Sequence, residues 1–220
     1  MTDTTTIEEL DRDGALLESL DNVEGDSRAD FMRKAVAAGG GLVGGGALLG
    51  LMATRSQAQS PPSASDVDIL NFALVLEELE AAFYREALAS GVLSGRRREF
   101  AQVVGAHENA HVVFLRQALG SAAVPAPQFN FRGTTQNVQL FTTTAVTLEE
   151  TGVAAYKGQA PLVDSPTVLR AALTIHSVEA RHAAWVRRIA GMRPVIGPAD
   201  RALTREQVLA AVGSTGFIVG

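Results

Sequence analysis

The sequence predicts an all-α fold: a four-helix bundle built from two helical hairpins joined by one long crossover. Three observations carry this. Apolar residues recur at spacings of three and four through four long segments. The connections between those segments run short, long, short, which is the order of two hairpins and a crossover and not of a simple up-and-down bundle. One segment also nearly repeats, because "LEELEAAFY" at 76–84 returns as "LEETGVAAY" at 148–156. Strand signals are almost absent, and the Thr- and Val-containing stretch 138–147 fits a helical period better.

Ahead of the bundle, residues 1–26 form a polar, acidic extension. Residues 27–58 have the layout of an export signal: basic Arg28, Arg33 and Lys34, an apolar Gly-rich run from Ala35 to Ala53, and the small-residue box Ser56 to Ala58. The other reading is an uncleaved membrane anchor, but so dense a run of glycines makes a poor helix. "SRADFMRK" resembles the twin-arginine export motif, with Arg28, Phe31 and Arg33–Lys34 in place and Ala29 where the second arginine belongs. Residues 59–65, including "SPPSAS", read as a linker.

The bundle is expected over 66–190. Asp66 is the candidate N-cap of the first helix, whose stripe is Ile69, Phe72, Leu76, Leu79 and Phe83. "SGVLSG" interrupts, and a second helix is expected from about Arg98 to Leu119. "GSAAVPAPQFNFRGTTQ", with two prolines and no period, is the long crossover. The third helix is expected from Val138 to Gln159, stopped by Pro161. "DSPT" then opens a fourth, from Thr167 to Ala190, ended by Gly191 and Pro194. In the tail, 191–220, Thr204 and Gln207 form a capping box for a short helix packed outside the bundle.

Composition narrows the chemistry. A net charge of −5 with no basic stripe argues against a nucleic-acid partner. There is no Cys, which excludes disulfides, thiolate zinc sites, iron–sulfur clusters and a cysteine nucleophile. A metal here must use His, carboxylate or carbonyl ligands, and the chain has four His.

Their positions are informative. Glu108 and His111 in "HENAH" are three apart, as are Glu179 and His182 in "HSVEARH", so each pair shares a helix face. At 100° per residue, Glu108 and His111 fall with Val104, Val112, Leu115 and Leu119. Glu179 and His182 fall with Ala172, Ile175, Ala183, Val186 and Ile189. On the third helix Glu149 lies among Ala145, Val146, Gly152, Val153 and Tyr156, with Glu150 toward the edge. On the first, Glu77 and Glu80 flank the stripe, and Glu78 faces outward near Arg85. Glu77 precedes Glu108 by 31 residues and Glu149 precedes Glu179 by 30. Each hairpin thus supplies one helix with a Glu and one with Glu-x-x-His.

Several buried carboxylates are costly unless protonated or neutralised. Two divalent ions balance four carboxylates in charge, and two imidazoles complete the ligand set. This is the pattern of carboxylate-rich di-iron and di-manganese bundles. It predicts Glu77, Glu108, His111, Glu149, Glu179 and His182 as metal ligands. Glu80 is an alternative or additional ligand to Glu77. His176, one turn before Glu179, reads as a supporting hydrogen-bonding group or an extra ligand, and His107 as a partner to a neighbouring helix. Tyr84 and Tyr156 read either as core aromatics or as donors to the ligands of the opposite half.

Residues 66–190 resemble the ferritin-like superfamily of bacterioferritin, rubrerythrin and relatives. In those families a Tyr follows the first-helix Glu by seven residues, as Tyr84 follows Glu77, and a Gly follows the third-helix Glu by three, as Gly152 follows Glu149. The chain is still more similar to exported bacterial ferritin-like proteins related to plant desiccation-associated proteins. The resemblance implies two iron ions, with manganese also compatible, and O2 or peroxide as small-molecule substrate in a stress-protection role. It implies an exported location, membrane contact only through an uncleaved signal, and allows a homo-oligomer. A ferroxidase-type oxidoreductase is the first expectation. The alternative is a structural or desiccation-associated bundle without turnover.

Overall fold

The computed structural model describes residues 63–219. The expected export segment 1–58 and the linker as far as residue 62 lie outside the described residues.

Four long helices form the bundle: α1 (Ala64–Ala89), α2 (Gly95–Leu119), α3 (Val138–Gln159) and α4 (Pro166–Ile189). A fifth, α5 (Arg205–Thr215), follows in the tail. Helix α1 packs chiefly on α2 and α3 on α4, and the hairpins meet through α1 against α3 and α2 against α4. The all-α architecture and the single long crossover are as the sequence predicts. Among the described residues, no helix is long and apolar enough to cross a membrane.

Three of the four bundle helices start at side-chain caps, and the starts of α1 and α2 differ from expectation. Ser63, not Asp66, caps α1, its hydroxyl accepting from the Asp66 N–H at 3.1 Å. Asp66 is instead fully buried, and its carboxylate accepts from the Asp164 N–H at 2.9 Å and the Ser165 N–H at 3.0 Å. It therefore fixes the entry to α4 against the start of α1, a contact across about a hundred residues that local capping rules do not contain. Asn137 caps α3 by accepting from Gln139 and Leu140, and Ser165 caps α4 with Pro166 following it. Helix α2 begins at Gly95, three residues earlier than its apolar period suggests, because "RRR" continues the helix on its solvated side.

Crossover and tail are more structured than their sequences announce. Gln128–Phe129 pairs antiparallel with Ile218–Val219, a two-strand ribbon that periodicity does not show. Asn71 anchors the crossover's start by donating to Ala122 O and accepting from the Val124 N–H, both at 2.9 Å. Helix α5 has the expected capping box and packs on the outside of α3. Its end does more than cover the surface. Phe217 is buried edge-on to Phe131, which in turn stands edge-on to Phe83. Burying one such ring is worth about 1.5–3 kcal/mol, so tail and crossover seal one end of the core together. Gly158 permits the tail's approach, since a Cβ there would lie 1.8 Å from Leu203 O, while Leu203 N–H bonds Ala154 O at 3.0 Å.

The core divides into two apolar clusters. One holds Phe83, Phe100, Phe131 and Phe141, and the other holds Leu70, Leu74, Phe114, Leu115 and Ile175. Between them lies a belt of buried acids.

Candidate metal centre

The belt is made by Glu77 and Glu80 from α1, Glu108 and His111 from α2, Glu149 from α3, and Glu179 and His182 from α4, all buried. A spacing of three puts each Glu-x-x-His pair on one stripe, and that stripe faces the bundle axis because the flanking apolar residues must. His111 Nδ1 lies 3.1 Å from Glu77 Oε2, 2.9 Å from Glu108 Oε2 and 3.2 Å from Glu179 Oε1. His182 Nδ1 lies 3.0 Å from Glu108 Oε1, 3.4 Å from Glu149 Oε2 and 3.8 Å from Glu179 Oε1. Two quartets result: Glu77, Glu108, His111 and Glu179, and then Glu108, Glu149, Glu179 and His182. Within each, one ligand atom per residue lies within 4.8 Å of all the others. Glu108 and Glu179 belong to both.

A metal pair suits these residues on an observation independent of the spacing. Among the described residues, Glu108 Oε1, Glu149 Oε2, both Glu179 oxygens and His182 Nδ1 are buried without a hydrogen-bond partner. Glu108 Oε1 and His182 Nδ1 approach to 3.0 Å without the alignment of a hydrogen bond. Buried polar atoms are otherwise nearly always paired, and carboxylate oxygens converging in this way on imidazole nitrogens are arranged as ligands are. Oxygen and imidazole donors suit iron or manganese.

The electrostatics agree. Burial pushes the Glu108 carboxyl up to about 7, against the lowering effect of the adjoining His111 and His182 imidazoles. Burial, with the charges of Glu108 and Glu77, lifts Glu179 well above the usual range. Burial would also raise Glu77, but His111 beside it holds it below its ordinary value. Burial would lower His182, yet the Glu108 and Glu149 carboxylates outweigh this and hold it up to about 10. These protons stand where cationic charge is wanted.

The surrounding groups form a near two-fold pattern. Tyr156 on α3 donates to Glu77 Oε1 on α1 at 2.6 Å, and Tyr84 on α1 donates to Glu149 on α3. Outside the belt, Arg116 grips Glu78 at 2.5 Å and Arg187 grips Glu150, one ion pair per hairpin at matching places in the repeat. The sequence reading set Glu78 near Arg85. The partner across the hairpin wins because Arg116 reaches it with both Nε and Nη2.

The sequence of this chain over residues 65–192 matches the ferritin-like domain family. The chain belongs to that family. No curated protein matches it.

In this ferritin-like domain one break in the repeat falls on the belt. Gly152 stands where the first hairpin has Glu80, and a Cβ on Gly152 would lie 3.2 Å from Glu179 Oε2 and 3.5 Å from Glu80 Oε1. Glycine leaves room for a fifth buried carboxylate. Glu80 is in neither quartet. Burial and the charges of Glu179, Glu149, Glu108 and Glu77 push its carboxyl well above the ordinary range. His107, half-buried, sets its Nδ1 2.8 Å from His182 Nε2, a partner on a neighbouring helix as expected. His176 is also in neither quartet, and its Nε2 is buried without a partner. It lies one turn along α4 from Glu179, and burial holds its imidazole below the ordinary value. The ion pairs Glu78–Arg116 and Glu150–Arg187 were the groups sequence reasoning missed. Each Arg follows its helix's Glu-x-x-His glutamate by eight residues, a spacing that could have revealed them.

Proposed function

We propose that the two quartets bind a pair of divalent ions, with Glu108 and Glu179 bridging them. Glu77 and His111 complete one position, and Glu149 and His182 the other. The observation that carries this reading is the sharing of Glu108 and Glu179 between two four-ligand groups whose buried atoms lack other partners. Iron is the first choice, and manganese is accepted by the same donors.

Bound as Fe(II), the pair would supply two electrons to O2 or peroxide. The chain supplies the rest. The four carboxylates balance the ionic charge, the apolar clusters on either side exclude bulk water, and Tyr84 and Tyr156 hold Glu149 and Glu77 in orientation. His107 meets the outer nitrogen of the His182 ring, which holds that ring with Nδ1 facing the pair. With no Cys the chain has no thiolate-held electron donor of its own. Together with the export-signal layout of residues 27–58, this reading supports a ferroxidase role in stress protection outside the cytoplasm.

The test is O2 and peroxide consumption by the anaerobically Fe(II)-loaded chain. Rapid consumption, suppressed by prior loading with redox-inert Zn(II), is expected. Tight, stoichiometric metal with no oxidant consumed would support a structural metal instead.

A further inference from the structure

Beyond the belt, toward the turn between α3 and α4, the second apolar cluster lines a partly enclosed cavity of about 30 Å³. Leu76, Phe114, Leu115, Tyr156, Ala172 and Ile175 are among its walls, and almost no polar surface faces it. One water needs roughly 10–15 Å³ of such space together with two to four polar partners. The cavity has the space and lacks the partners. The Tyr156 hydroxyl is committed to Glu77, so the residue offers the cavity its ring. Apolar cavities hold water poorly and admit apolar guests such as xenon.

Its place is specific. Leu76 adjoins Glu77, Leu115 is one turn beyond His111, and Ile175 is one turn before Glu179. A guest there sits within about a helical turn of three proposed ligands.

We propose that this cavity is a docking site for a dioxygen-sized apolar gas, and that O2, not hydrogen peroxide, is the oxidant the centre takes from this side. The second clause rests on the metal reading above. Peroxide carries donors and acceptors that the cavity leaves unpaired, and burying them so is unfavourable. O2 has none to lose.

Xenon is the probe. Pressurised crystals of the metal-free, full-length chain should show xenon among Leu76, Leu115 and Ile175. Ala172→Leu should empty that site, and Leu70→Ala, which widens it, should raise the occupancy. In Fe(II)-loaded protein Ala172→Leu should lower kcat/KM for O2 several-fold, with Fe(II) affinity and the peroxide rate unchanged. A misfolded variant would lose all three together, and Leu70→Ala then carries the test through its xenon occupancy and its O2 rate. Absence of xenon from the wild-type cavity would overturn the gas site. An unchanged O2 rate in a variant whose cavity is emptied would overturn the oxidant assignment. Xenon bound in a chain that takes up no metal would instead overturn the metal reading while leaving the gas site standing.

Discussion

Tyr156 on α3 places its hydroxyl 2.6 Å from Glu77 Oε1 on α1, so a residue of one hairpin orients a carboxylate of the other. Tyr84 returns the contact to Glu149. Outer partners of this kind are typically worth 10- to 100-fold in metal affinity. Tyr156→Phe should therefore weaken binding at the Glu77 position by about that factor, with the Glu149 position little changed. Competitive titration against a chelator of known affinity would separate the two positions.

The bridging and terminal acids should behave differently. Glu149 enters one quartet and Glu108 both. Glu149→Gln should reduce metal content from two ions per chain toward one, and Glu108→Gln should remove both. Elemental analysis of dialysed protein reads this directly. Equal losses from the two variants would count against bridging.

The metal-free protein should lose stability as pH rises from about 4.5 to 7. Glu108 has its folded pKa near 7 against an ordinary 4.5. Across that window the folded state holds a proton that the unfolded state has released, so Glu108 alone contributes a negative slope of about 1.4 kcal/mol per pH unit at most. Glu179 and Glu80, also raised, act in the same direction. The groups facing Glu108 are Glu77, Glu80, Glu149, Glu179, His111 and His182, and the two imidazoles, charged throughout in the folded state, steepen the same slope as pH nears their unfolded value of 6.5. Urea denaturation at pH 5 and pH 7 measures the slope, and loading with metal should flatten it by replacing the protons.

Gly158→Ala should detach the tail. Its new Cβ would meet a backbone carbonyl, that of Leu203, which has no rotamer to escape into. A loss of about 1–3 kcal/mol is expected, together with faster proteolysis between residues 191 and 204. Metal content should be unchanged, since α5 supplies no group to the belt.

The bundle was legible in the sequence because its signals are local. Glu108, His111, Glu179 and His182 share faces with residues that must be buried, so periodicity alone aims them at one axis. Charge balance then points to a metal pair. Gly152 was legible only as a motif position; that it makes room for Glu80 needs the opposing helix. What could not be read depends on distant parts of the chain. Asp66 looks like a cap from its neighbours and is instead claimed by the backbone at 164–165. Phe217 lies in a short segment with no period, and the ribbon it adjoins exists only because the crossover passes beside it. His176 is a turn from Glu179 yet enters neither quartet, which its spacing alone does not reveal.

The most direct measurement is anomalous diffraction at the iron edge from crystals of the full chain grown with Fe(II) under argon. Two peaks are predicted, both within bonding distance of Glu108 and Glu179, one also touching Glu77 and His111 and the other Glu149 and His182. A belt empty of anomalous signal, with its histidines still bonded to the carboxylates, would contradict the account.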